Sequence, residues 1–292
     1  MTDGGYGHGA ALLTILIWGT TFIATKILLT ALAPVQILFL RFAVGFAALW
    51  LVRPQPLRAQ GVGRELTLAA AGLCGICLYY LLENIALTYT LASNVGVIIS
   101  AAPFLTALLQ GAVNKSWRGL TRWFFVGFAT AMAGICLLSL HDARLEFNPL
   151  GDGLAFAAAF AWACYSLLMQ KIAAYGYPTI LATRRIFAYG LLFMLPFAVL
   201  ADTAWRWEAL RQPLYWGNLL FLGLGASALC FVTWNYAVKI LGPLKTSVYI
   251  YLVPAITVAA SAIILHEPFT LATAAGTALA MAGLFISGYR GE

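Results

Sequence analysis

The segment NIALTYTLASNVGVIISAAPFLTALLQGAVN occupies residues 84–114, and none of its side chains carries a formal charge. An α-helix rises 1.5 Å per residue, so about 20 apolar residues cross a hydrocarbon core that is about 30 Å thick. The segment is too long for one such helix, and the polar residues Thr88, Thr90 and Ser93 form a short connection within it. We therefore predict two membrane-spanning helices that meet near residues 91–93.

The rest of the chain is equally poor in charge. Of its 292 residues, 62% are hydrophobic and 9% are charged, whereas soluble domains are about 45–50% apolar and about 25% charged. These residues form continuous apolar runs, unlike the alternating segments of about ten residues in a membrane β-barrel. The composition therefore predicts an all-α integral membrane protein. Further charge-free windows cover residues 4–25, 123–141, 153–170, 212–238, 246–266 and 268–289.

Charges, breaks at proline and glycine, and segment lengths together predict ten transmembrane helices. The pair Gly242-Pro243 separates the eighth helix from the ninth, because proline is tolerated at a helix start but not in its middle. Residues 1–10 lack the basic residues that begin a secretory signal, so we expect the first helix to be retained. The predicted helices cover residues 10–29, 34–52, 66–87, 92–112, 121–140, 151–172, 178–200, 215–237, 243–264 and 270–289.

The basic residues predict the orientation, because short cytoplasmic loops are enriched in lysine and arginine. Ten such residues flank the predicted helices on one side and three on the other, so we predict that both termini are cytoplasmic. An even number of helices requires termini on the same side. The same bias accounts for the net charge of +7 without a nucleic-acid partner. The larger set is Arg53, Arg58, Arg64, Lys115, Arg118, Arg122, Lys171, Lys239, Lys245 and Arg290; the smaller set is Arg144, Arg206 and Arg211.

The two halves of the chain repeat the same residues in the same order, and we place the repeats at residues 1–146 and 147–292. Five helices per half is an odd number, so the second half enters the membrane from the opposite side and the repeat is inverted. Inverted repeats are typical of secondary transporters, whose substrate site lies near the midplane between the halves. A duplicated channel is the main competing interpretation. The matches are Trp18 with Trp162, Pro34 with Pro178, Arg41 with Arg185, Gly72 with Gly223, Asn84 with Asn235, Pro103 with Pro254, Gly127 with Gly276, and Ala131-Met132-Ala133-Gly134 with Ala280-Met281-Ala282-Gly283.

Residues 84–103 resemble the hallmark of the third and fourth helices in the drug/metabolite transporter superfamily, EamA type. A second copy covers residues 234–254 and continues to the turn His266-Glu267-Pro268. The resemblance spans essentially the whole chain as two EamA repeats, and it is strongest to the aromatic amino-acid exporter branch. It implies a bacterial inner-membrane transporter that exports aromatic and other neutral amino acids. The first repeat has Ser116-Trp117 where the second has Glu267-Pro268, which puts a role for the acidic turn in both halves in doubt.

Ionisable side chains inside a membrane are expensive, and they tend to be functional or paired. Glu83 is the one carboxylate that lies at least a turn inside a predicted helix, and we expect Arg41 and Lys26 at a similar depth. Glu83 either forms a buried pair with Arg41 or Lys26 that holds helices together, or it couples protons or recognises an ammonium group. Arg184 and Arg185 lie within two turns of a helix end, and we expect them to snorkel to lipid headgroups rather than to bind a substrate carboxylate.

Aromatic and amide side chains inside the helices are the candidate substrate-binding residues. Aromatic faces suit apolar rings and ammonium groups, and amides suit a zwitterionic ligand, although both are also compatible with packing and inter-helix hydrogen bonds. Pro103 and Pro254 fall in the middle of helices four and nine, where each is expected to kink the helix as a hinge or a static bend. The candidate substrate-binding residues are Tyr79, Tyr80, Glu83, Asn84, Trp162, Tyr165, Trp234, Asn235 and Tyr249.

The remaining patterns argue against catalysis. The chain has no G-x-S-x-G motif, no H-E-x-x-H motif and no histidine inside a predicted helix, so we predict no enzyme activity, no metal and no cofactor. A P-loop is also absent, which favours secondary transport. The five cysteines fall inside helices, which argues against disulfides. We expect a monomer whose partners are an amino-acid substrate and membrane lipid. The alternative is another small metabolite, a drug cation or a nucleotide sugar carried by the same fold.

Overall fold

The computed structural model describes residues 3–58, 61–89, 95, 98–117, 120–139, 148–200, 207–264 and 271–288. Every regular element within these ranges is helical. The described residues include six helices that are each long and apolar enough to cross a membrane, and shorter apolar helices lie beside them. The predicted connection near residues 91–93 and the turn at residues 266–268 lie outside the described part of the chain.

Within the described residues, and apart from the short 3₁₀ segment Trp207–Arg211, the helical segments group into ten helices, five from each half of the chain. In the first half, α1 is Asp3–Leu29, α2 is Pro34–Val52, α3 is Val62–Gly72 with Leu73–Leu78 and Tyr79–Tyr89, α4 is Ala102–Asn114 and α5 is Arg122–Ser139. In the second half, α6 is Pro149–Ala173, α7 is Thr179–Leu200, α8 is Pro213–Leu220 with Phe221–Leu229 and Cys230–Leu241, α9 is Pro243–Ser247 with Val248–Leu252 and Val253–Ile264, and α10 is Leu271–Gly288. The predicted fold class, an all-α membrane protein with inverted five-helix repeats, is confirmed.

One end of the bundle is rich in positive charge. The helices α2, α4, α6 and α8 end there, and α3, α5, α7 and α9 begin there. We call it the basic end; it carries Arg53, Arg64, Lys171, Lys239 and Lys245. The other end, where α2 begins and α3 ends, is called the opposite end.

Proline and local capping explain where several helices begin. Pro34, Pro149, Pro213 and Pro243 each lie in the first turn of a helix, where the missing N–H costs no hydrogen bond and the fixed φ suits the helix. Asn148 caps α6, because its side-chain oxygen accepts a hydrogen bond from the backbone N–H of Gly151 at 3.0 Å.

Pro103 and Pro254 each follow directly on a local interruption of the helix in which they were predicted. Pro103 lies in the first turn of α4, directly after a turn at residues 100–101. Pro254 is the second residue of the last segment of α9, after the 3₁₀ segment Val248–Leu252. Both prolines therefore begin a helical segment and lose no i−4 hydrogen bond there. Whether these interruptions act as hinges stays a prediction.

Both halves contain the same irregular feature in matching helices. The middle of α3, Leu73–Leu78, and the middle of α8, Phe221–Leu229, are π-helical. Each π-segment adjoins or contains a glycine that touches the second helix of the other half. A Cβ on Gly72 would lie 2.6 Å from the carbonyl oxygen of Ile186 in α7, and one on Gly223 would lie 3.1 Å from that of Arg41 in α2. The same helix crossing is thus built twice, as an inverted repeat requires.

The fifth helices of the two halves, α5 and α10, pack backbone to backbone. A Cβ on Gly134 would lie 2.6 Å from both the backbone nitrogen of Ala280 and the carbonyl oxygen of Gly276. A Cβ on Gly283 would lie 2.6 Å from the carbonyl oxygen of Gly127. These contacts use the repeated small residues of the two helices, because small side chains let helix backbones approach closely in a membrane.

This packing predicts that Gly134→Ala destabilises the protein, since the added methyl group meets backbone atoms that cannot rotate away. Overpacking of this kind costs about 1–3 kcal/mol, and thermal unfolding of the detergent-solubilised protein measures it. Gly153→Ala is the matched control, because no atom lies within 4 Å of a Cβ there. Equal melting temperatures for the two variants would contradict the close α5–α10 contact.

Candidate functional site

Three tryptophans from both halves meet in the middle of the bundle, and we call Trp18, Trp162 and Trp234 the tryptophan cluster. Their ring centroids lie 5.3 Å apart for Trp18 and Trp162, 5.2 Å for Trp18 and Trp234, and 5.8 Å for Trp162 and Trp234. Trp18 belongs to α1, whereas the other two belong to α6 and α8. Trp18 and Trp162 are repeat mates, so the cluster lies where the two halves face each other.

The indole N–H groups of the cluster are not equally satisfied. Trp18 Nε1 donates to the carbonyl oxygen of Ala226, in the π-segment of α8, at 2.9 Å. The Nε1 atoms of Trp162 and Trp234 are buried and have no hydrogen-bond partner. A buried donor without an acceptor costs about 1–3 kcal/mol. The cluster therefore offers two donors to any acceptor that enters between the halves.

Tyr79 and Tyr80 extend the aromatic surface from the cluster along α3. The ring of Tyr79 lies 5.0 Å from that of Trp162 and 4.8 Å from that of Tyr80. Tyr80 in turn packs 5.1 Å from Phe42 of α2. A continuous aromatic layer thus connects α6, α3 and α2, and it leads from the tryptophan cluster to Arg41.

Arg41 is a buried cation, with 5% of its surface exposed. Its Nε donates to the hydroxyl of Ser227 at 3.0 Å, and its guanidinium carbon lies 5.1 Å from the ring centre of Tyr80 and 5.3 Å from that of Phe42. Cation–π contacts stabilise a cation but leave its donors open. The π-segment of α8 thereby binds two residues of the first half, Trp18 and Arg41.

The predicted pairing of Glu83 with Arg41 or Lys26 stays a prediction, since Glu83 and Arg41 attract each other but form no ion pair within 4.0 Å. Glu83 is 9% exposed, and between described side chains the one ion pair within 4.0 Å joins Arg185 to Glu65. The physical reason is that Arg41 faces Ser227 and two ring faces instead. The side chain of Lys26, the other predicted partner, lies outside the described part of the structure. Glu83 and Arg41 are thus two buried charges that both act on Tyr79 and Tyr80 and that form no ion pair within 4.0 Å.

Two other candidates form a closed hydrogen-bond network instead of facing open space. The hydroxyl of Tyr165 donates to the side-chain oxygen of Asn235 at 2.6 Å, and the amide nitrogen of Asn235 donates to Thr183 at 2.9 Å. All three side chains are buried, and they connect α6, α8 and α7. The repeat mate of Asn235, Asn84, donates to the carbonyl oxygen of Tyr80 at 2.7 Å.

The hydroxyl of Tyr249 points away from the tryptophan cluster, toward the start of α1. That hydroxyl lies 2.7 Å from Nδ1 of His8, near the start of α1. His8 precedes Trp18 by ten residues, about 15 Å along the helix at 1.5 Å per residue. Because α1 begins at Asp3 rather than at residue 10, this histidine lies inside a helix, contrary to the prediction. Tyr249 therefore contacts the first half well away from the tryptophan cluster.

The expectation of snorkelling to lipid headgroups is wrong for Arg184, which is buried; for Arg185, which is exposed, it stays a prediction. Arg184 is 3% exposed, donates to the carbonyl oxygens of Arg53 and Gln55, and lies 4.2 Å from the ring centre of Trp50. The carbonyl groups at the end of α2 need such donors. Arg185 pairs with Glu65 at 2.6 Å. Neither arginine contacts the aromatic layer.

A separate cavity of about 240 Å³ lies at the basic end, between α4 and the α8–α9 connection. It is lined by residues that include Gln110, Asn114, Ser116 and Lys245, and by none of the predicted site residues. The side-chain oxygen of Gln110 is buried without a hydrogen-bond partner.

Sequence reasoning left Trp18, Phe42, Ser227 and Thr183 out of the candidate site. Trp18 has a signal that could have included it, since it matches Trp162 in the repeat. The other three have none, because a phenylalanine or a small hydroxyl residue in an apolar helix is ordinary.

Residues 5–140 and residues 149–289 each match the EamA-like transporter family, so the chain belongs to that family. An uncharacterized transporter of Archaeoglobus fulgidus is 30% identical over 290 residues, covering 96% of each chain. A probable amino-acid metabolite efflux pump of Salmonella typhimurium is 29% identical, covering 95% of this chain and 93% of its own. One solved crystal structure, 22% identical, superimposes with a TM-score of 0.79 and covers 97% of this chain and 96% of its own, which supports the fold. The chain is a multi-pass membrane transporter and not an enzyme.

The closed network predicts that Tyr165→Phe lowers stability but not substrate affinity. The substitution leaves a buried amide oxygen without its donor, which costs about 1–3 kcal/mol, and thermal unfolding measures the loss. Tyr215→Phe is the matched control, because the hydroxyl of Tyr215 makes an exposed contact of 3.3 Å with Thr30. An unchanged melting temperature together with weakened substrate binding would mean that Tyr165 contacts substrate instead.

Proposed function

We propose that this transporter exports aromatic and other neutral amino acids across the bacterial inner membrane by alternating access. The observation that carries this proposal is the aromatic layer between the halves, with its two buried indole N–H groups that lack acceptors. An apolar ring packs against aromatic faces at the preferred distances of ring pairs. A carboxylate supplies the acceptors that the indole groups lack.

The arrangement of the halves supports alternating access. The tryptophan cluster receives residues from both repeats, so a rocking motion of one half against the other would open it to either end of the bundle in turn. A single chain completes the site, and we therefore propose a monomer with repeats 1–146 and 147–292. The name of the Salmonella typhimurium relative, a probable amino-acid metabolite efflux pump, supports the same substrate class.

A lipophilic cation is a second candidate substrate, because Glu83 is buried near aromatic rings without a described cation in contact. A nucleotide sugar is a poorer match. It would need free basic groups from both halves to bind its phosphates, and both Arg184 and Arg185 of the second half are already engaged.

Counterflow in proteoliposomes tests the substrate class. Radiolabelled phenylalanine, tryptophan and leucine are expected to exchange, whereas a nucleotide sugar is not. Exchange of a lipophilic cation but of no amino acid would overturn the proposal in favour of the second candidate.

The role of the indole N–H groups has its own test. Trp162→Phe keeps an aromatic ring but removes the donor, so we expect the apparent affinity for phenylalanine to fall about tenfold. Trp216→Phe is the control, since Trp216 is exposed at the start of α8. An unchanged affinity in Trp162→Phe would show that this indole N–H binds no substrate acceptor.

The proposed orientation places both termini in the cytoplasm, as the basic loops favour. A phosphatase reporter fused after Glu292 is therefore expected to be inactive, because it needs the periplasm, and a fluorescent protein fused there is expected to fold. An active phosphatase would reverse the orientation.

A further inference from the structure

We propose that Arg41 and Glu83 bind the two charged groups of one zwitterionic substrate, the carboxylate at Arg41 and the ammonium at Glu83. This inference rests on the proposed function and deepens it. It assigns the transporter to α-amino acids with both charges intact, rather than to amines, acids or amides of similar shape.

Arg41 and Glu83 lie at the same depth in the membrane. Arg41 follows the start of α2, Pro34, by seven residues, about 10 Å at 1.5 Å per residue. Glu83 precedes the end of α3, Tyr89, by six residues, about 9 Å. Both measure from the opposite end of the bundle, so both charges lie well inside the hydrocarbon region.

Neither Arg41 nor Glu83 has an oppositely charged group within 4.0 Å among the described side chains. The one described ion pair within 4.0 Å joins Arg185 to Glu65, at the basic end. Arg41 has a hydroxyl and two ring faces around it, and none of these carries a negative charge. A buried charge at this depth is expensive, and the attraction between Arg41 and Glu83, which act on each other without an ion pair within 4.0 Å, offsets only part of the cost of burying Glu83. A ligand with one positive and one negative group would compensate both residues at once.

Arg41 and its repeat mate, Arg185, differ in their partners. Arg185 occupies the matching position in α7, and there it contacts the carboxylate of Glu65 at 2.6 Å. Tyr189 donates to the same carboxylate. Arg185 thus has a carboxylate from the other half in contact, whereas Arg41 has no described carboxylate within 4.0 Å. An arginine fork suits a carboxylate that arrives with a substrate.

Tyr79 and Tyr80 form the surface between the two charged residues and the tryptophan cluster. Tyr80 lies under the guanidinium of Arg41, and Tyr79 continues the layer to Trp162. A substrate held at its charged end by Arg41 and Glu83 would place its side chain along this layer. A carboxylate has about four lone-pair sites, so those that Arg41 leaves open remain available to an indole N–H.

The experiment compares four probes of one shape: phenylalanine, phenylalaninamide without the carboxylate charge, phenethylamine without the carboxyl group, and 3-phenylpropionate without the ammonium. Each is tested as a competitor of phenylalanine counterflow and as a stabiliser of the purified full chain against heat. The wild type is expected to bind phenylalanine about tenfold or more tightly than each of the other three.

The variants are Arg41→Gln and Glu83→Gln, with Arg185→Gln as the control at the matching repeat position. Arg41→Gln is expected to weaken phenylalanine and 3-phenylpropionate about tenfold or more, and phenylalaninamide and phenethylamine less than threefold. Glu83→Gln is expected to weaken phenylalanine, phenylalaninamide and phenethylamine but not 3-phenylpropionate. Arg185→Gln is expected to change all four probes equally or not at all.

The outcomes separate the two proposals. If the wild type exchanges no amino acid, the proposed function fails. If it exchanges phenylalanine but Arg41→Gln weakens all four probes by the same factor, the proposed function stands and Arg41 is structural. If Glu83→Gln leaves the probe profile unchanged, Glu83 is compensated inside the protein, by Lys26 or another group, and the inference is overturned.

Where Arg41→Gln fails to fold, Arg41→Lys keeps the charge, and the heat-stabilisation profile of the four probes is expected to retain its order.

Discussion

The constraint on which this structure depends is that hydrocarbon offers no hydrogen bonds, so polar groups inside the membrane must find partners within the protein. Most of the described ones do. The carbonyl oxygen of Ala226 receives the indole of Trp18, and the hydroxyl of Ser227 receives Arg41. Both acceptors lie in the π-segment of α8, where the irregular helix exposes polar atoms to the other half. The halves are thus held together by polar contacts as well as by close glycine packing.

Several of the exceptions to this rule lie together at the candidate site, whereas others, such as Gln110, lie elsewhere. The indole N–H groups of Trp162 and Trp234 have no acceptor, and Arg41 and Glu83 have no charged contact among the described side chains. All four lie on or beside one aromatic layer between the repeats. The side-chain amide of Asn235, by contrast, accepts a hydrogen bond from Tyr165 and donates one to Thr183. We interpret the polar groups without partners as part of a ligand-binding site.

Sequence reasoning predicted the fold well because charge is excluded from hydrocarbon and therefore marks the ends of helices. The ten helices, the inverted repeat and the family follow from the position of a few charges and from matched residues such as Trp18 and Trp162. The partners of individual side chains did not follow. Arg184 caps carbonyl groups after α2, and Tyr249 contacts His8; these contacts depend on how helices cross, which residue spacing within one helix does not encode.

Repeat mates show the same limit in another form. Arg41 and Arg185, or Asn84 and Asn235, occupy equal positions in the two halves but have different partners. The π-segments of α3 and α8 were equally hidden, since apolar glycine-containing runs favour neither an α-helix nor a π-helix by pattern. The two repeats share the same arrangement of helices, and the candidate site contains residues whose partners differ between the repeats.

A structure of the full chain with bound phenylalanine would show directly where the substrate lies. We expect density between the halves, with the carboxylate within hydrogen-bond distance of the guanidinium of Arg41 and the ring against Tyr79 and Trp162. Density confined to the cavity at the basic end, beside Gln110 and Lys245, would contradict it.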